Sequence, residues 1–269
     1  MARAKALPAG DTRALTMTVE PIVEMRNVAK TYDSGVEALR DITLALPRGE
    51  LSTFLGPSGC GKTTLLKIIA GLISPSDGEI WVKGNKVSGP GPERAFVFQD
   101  FALLPWASVL RNVAFGLELR GVPKDKREEI ARKYIAEVGL SSFESRYPHQ
   151  LSGGMKQRVG LARALAIDAD IVLMDEPFSS VDEQTRRKFQ EELLDLLKIN
   201  QKTVIFVTHS IEEAAYLSDQ IVLLSQRPGS VLRIIRPNIE RGASADEIRR
   251  DKGYLDAVDE IWKILRDYV

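Results

Sequence analysis

The 269-residue chain balances 37 Lys plus Arg against 37 Asp plus Glu, so its formal net charge is zero and no long-range field draws the whole surface toward nucleic acid or anionic lipid. Hydrophobic residues make up 44% and charged residues 28%, which excludes wholesale disorder, collagen-like repeats and a disulfide scaffold. The single cysteine, Cys60, cannot close an internal disulfide and fits a reducing compartment.

Residues 1–20 include basic residues but no apolar run of the kind a secretory signal needs, so they are expected to be a flexible tail. From Ile22 to Tyr32 and from Ile42 to Leu46 apolar and polar residues alternate, which predicts half-buried strands of an antiparallel sheet. Glu50 to Leu55 reads as a short apolar strand, followed by a glycine-rich loop and a helix over Lys62 to Ala70. Gly78 to Lys83 and Arg94 to Phe98 are expected strands. Val109 to Leu119 and Lys124 to Val138 are expected helices, the second starting just after Pro123. Ser152 is placed to cap a helix beginning at Gly153. Beyond it, the buried strands Ile171 to Met174 and Thr203 to Thr208 alternate with helices Glu183 to Ile199 and Ile211 to Leu217. Strands Ile221 to Leu224 and Val231 to Ile235 flank the turn Arg227-Pro228-Gly229. This alternation implies an α/β fold with a largely parallel sheet. After Asn238 the chain is rich in charge, with Ile248, Leu255, Val258, Ile261, Trp262 and Leu265 interspersed, so appended amphipathic helices with a solvated charged face are expected. The longest charge-free run, Leu51 to Gly61, has 11 residues, against roughly 20 for a membrane helix.

Gly56 to Thr63 fits G-x-x-x-x-G-K-[ST] between a predicted strand and a predicted helix, the context of a phosphate-binding loop. Glycines let successive backbone N–H groups turn inward, the helix N-terminus adds positive potential, Lys62 reaches the outer phosphates and the Thr63 hydroxyl can ligate Mg²⁺. Asp175 and Glu176 end a buried strand, where ligands of parallel sheets sit. Asp175 suits the Mg²⁺ shell, and Glu176, pointing elsewhere, suits a water-activating base. No Asn-Lys-x-Asp segment is present to hold guanine, since Asn85-Lys86-Val87-Ser88 lacks the acid, so a GTPase is disfavoured. Ser152, Gly153 and Gly154 open a second helix N-terminus suited to an anion. One nucleotide cannot easily use both helix ends of one chain, which suggests two chains meeting head to tail. Cys60 is read as a backbone contributor without catalytic work, and His149 as a packing residue.

Over residues 22 to 236 the chain resembles the ATP-binding subunit of an ATP-binding-cassette (ABC) transporter. The resemblance implies an α/β P-loop NTPase fold of the ABC nucleotide-binding type, with an antiparallel β subdomain and a helical subdomain over about residues 100–165. The ATPase domain would span 21–236, with a tail at 1–20 and a helical extension at 237–269. The family's phosphate loop falls on Gly56, Pro57, Ser58, Gly59, Cys60, Gly61, Lys62, Thr63 and Thr64, and its glutamine loop on Gln99. Its signature falls on Leu151 to Gln157, its strand carboxylates on Asp175 and Glu176, its switch histidine on His209 and its adenine-stacking aromatic on Tyr32. The segment that usually reads Ser-Ala-Leu-Asp is here Ser179-Ser180-Val181-Asp182, keeping Asp182. ATP and Mg²⁺ are the implied ligands, with catalysis expected from Glu176, His209 and Lys62 and the metal at Thr63, Gln99 and Asp175. The apolar stretch Phe101, Leu103, Leu104, Pro105 and Trp106, following Gln99, is expected to couple to a permease helix.

Within the family, Phe98 to Trp106 and Arg227-Pro228-Gly229 resemble importers of nitrate, sulfonates, taurine and bicarbonate. The implied partners are a second cassette subunit, most simply a second copy, transmembrane permease subunits and, indirectly, a solute-binding protein, but no nucleic acid. The implied location is the cytoplasmic face of the inner membrane. A soluble cassette ATPase acting on ribosomes or DNA is the competing reading; it would more naturally bring tandem cassettes or basic arms.

Overall fold

The computed structural model describes residues 21–179, 182–239 and 244–266. The expected tail over 1–20, and Ser180 and Val181, lie outside the described residues. Strands β1 (Pro21–Thr31) and β2 (Glu37–Pro47) pair antiparallel, and β4 (Asp77–Val82) with the two-residue β5 (Asn85–Lys86) completes a sheet in the order β2-β1-β4-β5. The sequence pattern does not reveal β5, whose two polar residues offer no periodicity.

The second sheet has the order β10-β9-β3-β8-β7-β6, with β3 at Leu51–Leu55, β6 at Arg94–Val97, β7 at Ile171–Asp175, β8 at Thr203–Thr208, β9 at Gln220–Leu224 and β10 at Val231–Ile235. It is parallel except for β10. Its central strands are buried throughout because both faces are covered: β8 sends Val204 and Phe206 into one core and Ile205 and Val207 into the other. Helix α1 (Lys62–Ile69) supplies Leu65, Leu66, Ile68 and Ile69 to the core between the two sheets. Helices α2 (Val109–Leu119), α3 (Lys124–Glu137), α4 (Gly153–Ala166) and α5 (Glu183–Asn200) cover the opposite face.

The C-terminal segment forms the expected amphipathic helices, and its apolar stripe docks on the sheet. Ser244 and Glu247 form a reciprocal cap on α7 (Ala245–Ile248), which leads into α8 (Lys252–Arg266). Ile261 and Leu265 of α8 are buried with Leu55, Leu223 and Ile235 of the sheet and with Ile211 of α6 (Ile211–Leu217). Arg249 lies 4.6 Å above the Tyr216 ring. The charges face solvent while the apolar stripe docks, because each fully buried Ile or Leu gains about 1.5–3 kcal/mol.

Candidate active site

Parallel strands deliver their ends to one edge of the sheet. Leu55 lies opposite Thr208, Val207 opposite Asp175 and Met174 opposite Val97. The segments that follow, Gly56 to Gly61, His209, Glu176 and Gln99, therefore emerge together although far apart in sequence.

Gly61 caps α1 at φ +103°, and a Cβ there would lie 2.7 Å from both the Ala38 carbonyl and a Leu39 methyl. Only glycine allows the loop to press this closely on β2. Lys62 is 5% exposed, and its ammonium donates to the carbonyls of Gly56 at 2.7 Å and Pro57 at 2.9 Å. Cys60 is buried, and burial pushes its thiol up despite the Lys62 charge, so no reactive thiolate is held in the loop.

The Thr63 hydroxyl donates to Asp175 Oδ1 at 2.8 Å. Burial pushes the Asp175 carboxyl above its usual range; the Thr63 hydrogen bond opposes this, and the neighbouring Glu176 charge adds to it. Among the described residues no Lys or Arg forms an ion pair with Asp175. The Lys67 and Lys62 charges act on Asp175 without pairing with it, so the hydroxyl and the buried carboxylate remain a pair of hard oxygen donors that fits Mg²⁺ completed by phosphate and water oxygens. No group of three or more His, Cys, Asp and Glu forms a competing metal site among the described residues.

Glu176 adopts φ +43°, which costs a non-glycine residue about 1–2 kcal/mol. Its N–H donates to the Val207 carbonyl at 3.0 Å, and its own carbonyl accepts from the Ser179 hydroxyl at 3.0 Å. The turn sends the two adjacent carboxylates to different partners: Asp175 to Thr63, and Glu176 Oε2 to within 3.1 Å of His209 Nδ1. Tyr32, 38% exposed, shares a 3.0 Å hydroxyl–hydroxyl hydrogen bond with Thr64. Tyr32, Ser58, Gly59, Thr63 and Glu176 all line one cleft of about 280 Å³. Such a cleft can cradle a polyphosphate and set a carboxylate beside water at its far end.

The model of the family described as ABC transporter matches residues 39–179. An ABC transporter ATP-binding protein from Methanocaldococcus jannaschii is 49% identical over 250 residues, 92% of each chain. The chain belongs to the ABC transporter family. The taurine import ATP-binding protein TauB of Pseudomonas putida is 46% identical over 89% of this chain and 94% of its own length. Among solved structures, the dimeric ATP-binding cassette MJ0796 in a post-hydrolysis state with ADP and Pi is 33% identical, with a TM-score of 0.71 over 80% of this chain and 98% of that one. The site is thus that of an ABC-type ATPase.

Other motif residues of the cassette do not line the cleft. Ser152 caps α4 by accepting from Met155 N–H at 3.3 Å, and Ser152 and Gly153 are exposed and are not among the residues lining that cleft. Gln99 and Asp182 are exposed at the sheet edge and before α5 respectively. Of the stretch expected to couple, Phe101 is 7% exposed, and the half-buried Leu103 packs against the core under the helical face. In the isolated chain Phe101 is thus buried and Leu103 half-buried. The reason is the backbone: Phe101 and Ala102 sit at φ +62° and +42°, and Arg163 of α4 donates to both their carbonyls at 2.7 Å, turning the Phe101 ring inward. Leu104 is half-buried, Pro105 is exposed and Trp106 is 71% exposed.

Several residues that organise the site escaped the sequence reading. Asn112, fully buried, accepts from Leu104 N–H at 2.8 Å and donates to the Ala107 carbonyl at 3.0 Å, fixing the turn that displays Trp106. Gln157, named before only as the last signature position, donates to the Pro177 carbonyl, tying α4 to the turn after Glu176. Ser210 to Glu213 carries the S-x-x-E pattern of a capping box. Ser210 does accept from Glu213 N–H at 3.2 Å, but the Glu213 carboxylate turns instead to the Thr208 hydroxyl, behind His209.

Glu213 is 8% exposed, and burial pushes its carboxyl up, with the Thr208 hydrogen bond and Arg186 pulling the other way. A raised folded-state value means that this group's contribution to stability is complete below its unfolded value of about 4.3 and is lost as pH rises through the folded value. Glu213→Gln is therefore expected to gain in melting temperature relative to the wild type as pH rises from about 4.5 toward 8, by about 2–4 °C for each kcal/mol. Thermal melts of both proteins across that range check this; a gap independent of pH contradicts it.

Proposed function

We propose that this chain powers import of a small anion, of the taurine, sulfonate, nitrate or bicarbonate kind, through separate permease subunits at the cytoplasmic face of the inner membrane. The chemistry rests on one observation: the phosphate loop, the Thr63–Asp175 pair and the Glu176–His209 pair stand at one sheet edge. The transport reading is supported by the similarity to taurine import ATP-binding proteins, 46% identical in Pseudomonas putida and 50% identical in Chromobacterium violaceum. No helix among the described residues is long and apolar enough to cross a membrane.

In this reading the backbone N–H groups at the start of α1 and the Lys62 ammonium hold the β- and γ-phosphates, and Tyr32 stacks on adenine. Thr63 and Asp175 would hold Mg²⁺, with Gln99 joining them from the end of the neighbouring strand, and the metal would supply positive charge that offsets the phosphates. Glu176 accepts a proton from water as the water oxygen bonds to the γ-phosphorus and the bond to the β-bridging oxygen breaks, leaving ADP and inorganic phosphate. His209 orients Glu176 and senses the γ-phosphate. Ser152, Gly153 and Gly154 of a second copy close over the nucleotide, with Asp182 at the junction, since the same residues of one chain do not line its own phosphate-loop cleft.

Trp106 is assigned to permease docking, with Pro105 and Leu104 beside it, and a solute-binding protein delivers the anion from the other side. Trp106→Ala is expected to leave the ATPase rate of the isolated chain within a few-fold while abolishing most uptake in liposomes carrying the permease. Uptake of labelled taurine and phosphate release, measured together, test the whole reading. Parallel loss of both rates with a lower melting point would make Trp106 a packing residue. ATPase activity stimulated by ribosomes or DNA and indifferent to the permease would overturn the transport assignment.

A further inference from the structure

We propose that Arg227, on the turn between β9 and β10, is a nucleotide-binding residue of this chain that contacts the phosphate groups of ATP and ADP. The proposal deepens the ATPase reading and rests on it. Arg227 lies beyond the segment matched by the family model, which ends at residue 179, and the Arg227-Pro228-Gly229 turn carried only the importer resemblance, with no nucleotide role.

Arg227 lines the same cleft as Tyr32, Ser58, Gly59 and Thr64. Its turn is fastened to the walls of that cleft. Gly229 N–H donates to the Ala38 carbonyl at 2.9 Å, and the Gly229 carbonyl accepts from Arg40 N–H at 2.9 Å. Gly229 is buried against the phosphate loop so closely that a Cβ would lie 2.1 Å from the Cys60 carbonyl. Within the turn, the Ser225 hydroxyl accepts from Ser230 N–H at 2.9 Å and donates toward the carbonyls of Gln226 and Pro228. A turn held at both ends has already lost most of its conformational freedom, so a side chain on it is positioned at low entropic cost on binding.

The charge arrangement points the same way. Lys62 is buried and donates to two loop carbonyls, whereas Arg227 is exposed on the solvent side of the cleft. Among the described residues no carboxylate pairs with Arg227, in contrast to Arg40 nearby, which is held by Glu37. A guanidinium without an acidic partner, beside a loop built for phosphate, matches phosphate oxygens in geometry and charge.

Calorimetric titration with ATP and with ADP tests this. Arg227→Ala is expected to weaken both about tenfold, Arg227→Gln similarly, and Arg227→Lys by less, since the charge is kept but the fork is lost. The difference from wild type should shrink between low and high salt, because the contact is solvent-exposed. Gln226→Ala, on the same turn, should leave affinity unchanged, and melting temperatures of all four variants should stay near the wild type. Affinities within twofold for both Arg227→Ala and Arg227→Gln would overturn the proposal. So would a loss independent of salt and reproduced with adenosine, which would place the contact on the base. Lys62→Ala serves as the reference: if it too binds ATP normally, the site reading itself fails, whereas loss there with neutral Arg227 variants defeats only the present inference.

Discussion

Glu176→Gln is expected to lower ATP turnover of the purified chain by about a hundredfold or more while nucleotide affinity changes by no more than a few-fold. The substitution keeps the side-chain length and an acceptor oxygen toward His209, so the left-handed turn and the Ser179 hydrogen bonds to the Glu176 carbonyl stay in place. What disappears is a carboxylate able to take a proton. The phosphate cradle, formed by Gly56 to Thr63, is untouched. With hydrolysis blocked, Mg-ATP should hold two copies together, and size-exclusion chromatography with and without Mg-ATP reads this directly. Turnover near the wild-type rate would remove Glu176 from the mechanism. A monomer under both conditions, with ATP shown to be bound, would contradict the head-to-tail sandwich.

Lys62→Ala is expected to act on the earlier step, weakening ATP affinity by about a hundredfold, in keeping with the loss of a largely desolvated charge-assisted contact. Lys62 is 5% exposed and its ammonium already lies against the loop, donating to Gly56 and Pro57, so it needs little reorganisation to meet phosphate oxygens. Removing it also strips two loop carbonyls of a donor, and a modest fall in melting temperature is expected alongside. Lys62→Arg separates the two effects: the charge returns, but the bulkier fork does not fit a site shaped for a point charge, so affinity should recover only in part. Calorimetry at fixed Mg²⁺ concentration measures both variants. Unchanged ATP affinity in Lys62→Ala would dismiss the phosphate-loop assignment.

Local pattern carried much of the chain. Alternation identified β1 and β2, unbroken apolar runs identified β7 and β8, and Pro123 and Ser152 marked the starts of α3 and α4 to within a residue, because strand alternation and helix caps act within a few neighbours. The phosphate loop was legible for the same reason: glycine spacing and a following helix are contiguous features. The family resemblance placed Gln99, His209 and Asp182 as motif positions, but which of these groups touch is a matter of strand order. β8 lies between β3 and β7, which brings His209 to Glu176 across 33 positions and Asp175 to Thr63 across 112.

The amino-acid sequence by itself determined the class of fold, the phosphate-binding chemistry and the carboxylates that accompany it, since each resides in a short stretch whose physics is local. Only the tertiary structure decided which apolar residues after Gln99 face outward: Arg163, some 60 positions away, seizes two carbonyls and turns Phe101 into the core, leaving Trp106 on the surface. It likewise diverted Glu213 from its cap to Thr208, docked the charged C-terminal helix through Ile261 and Leu265, and set Arg227 on the rim of the nucleotide cleft. In each case the deciding partner lies on another element, so burial and hydrogen-bond satisfaction, which are properties of the packed chain, overrule the local pattern.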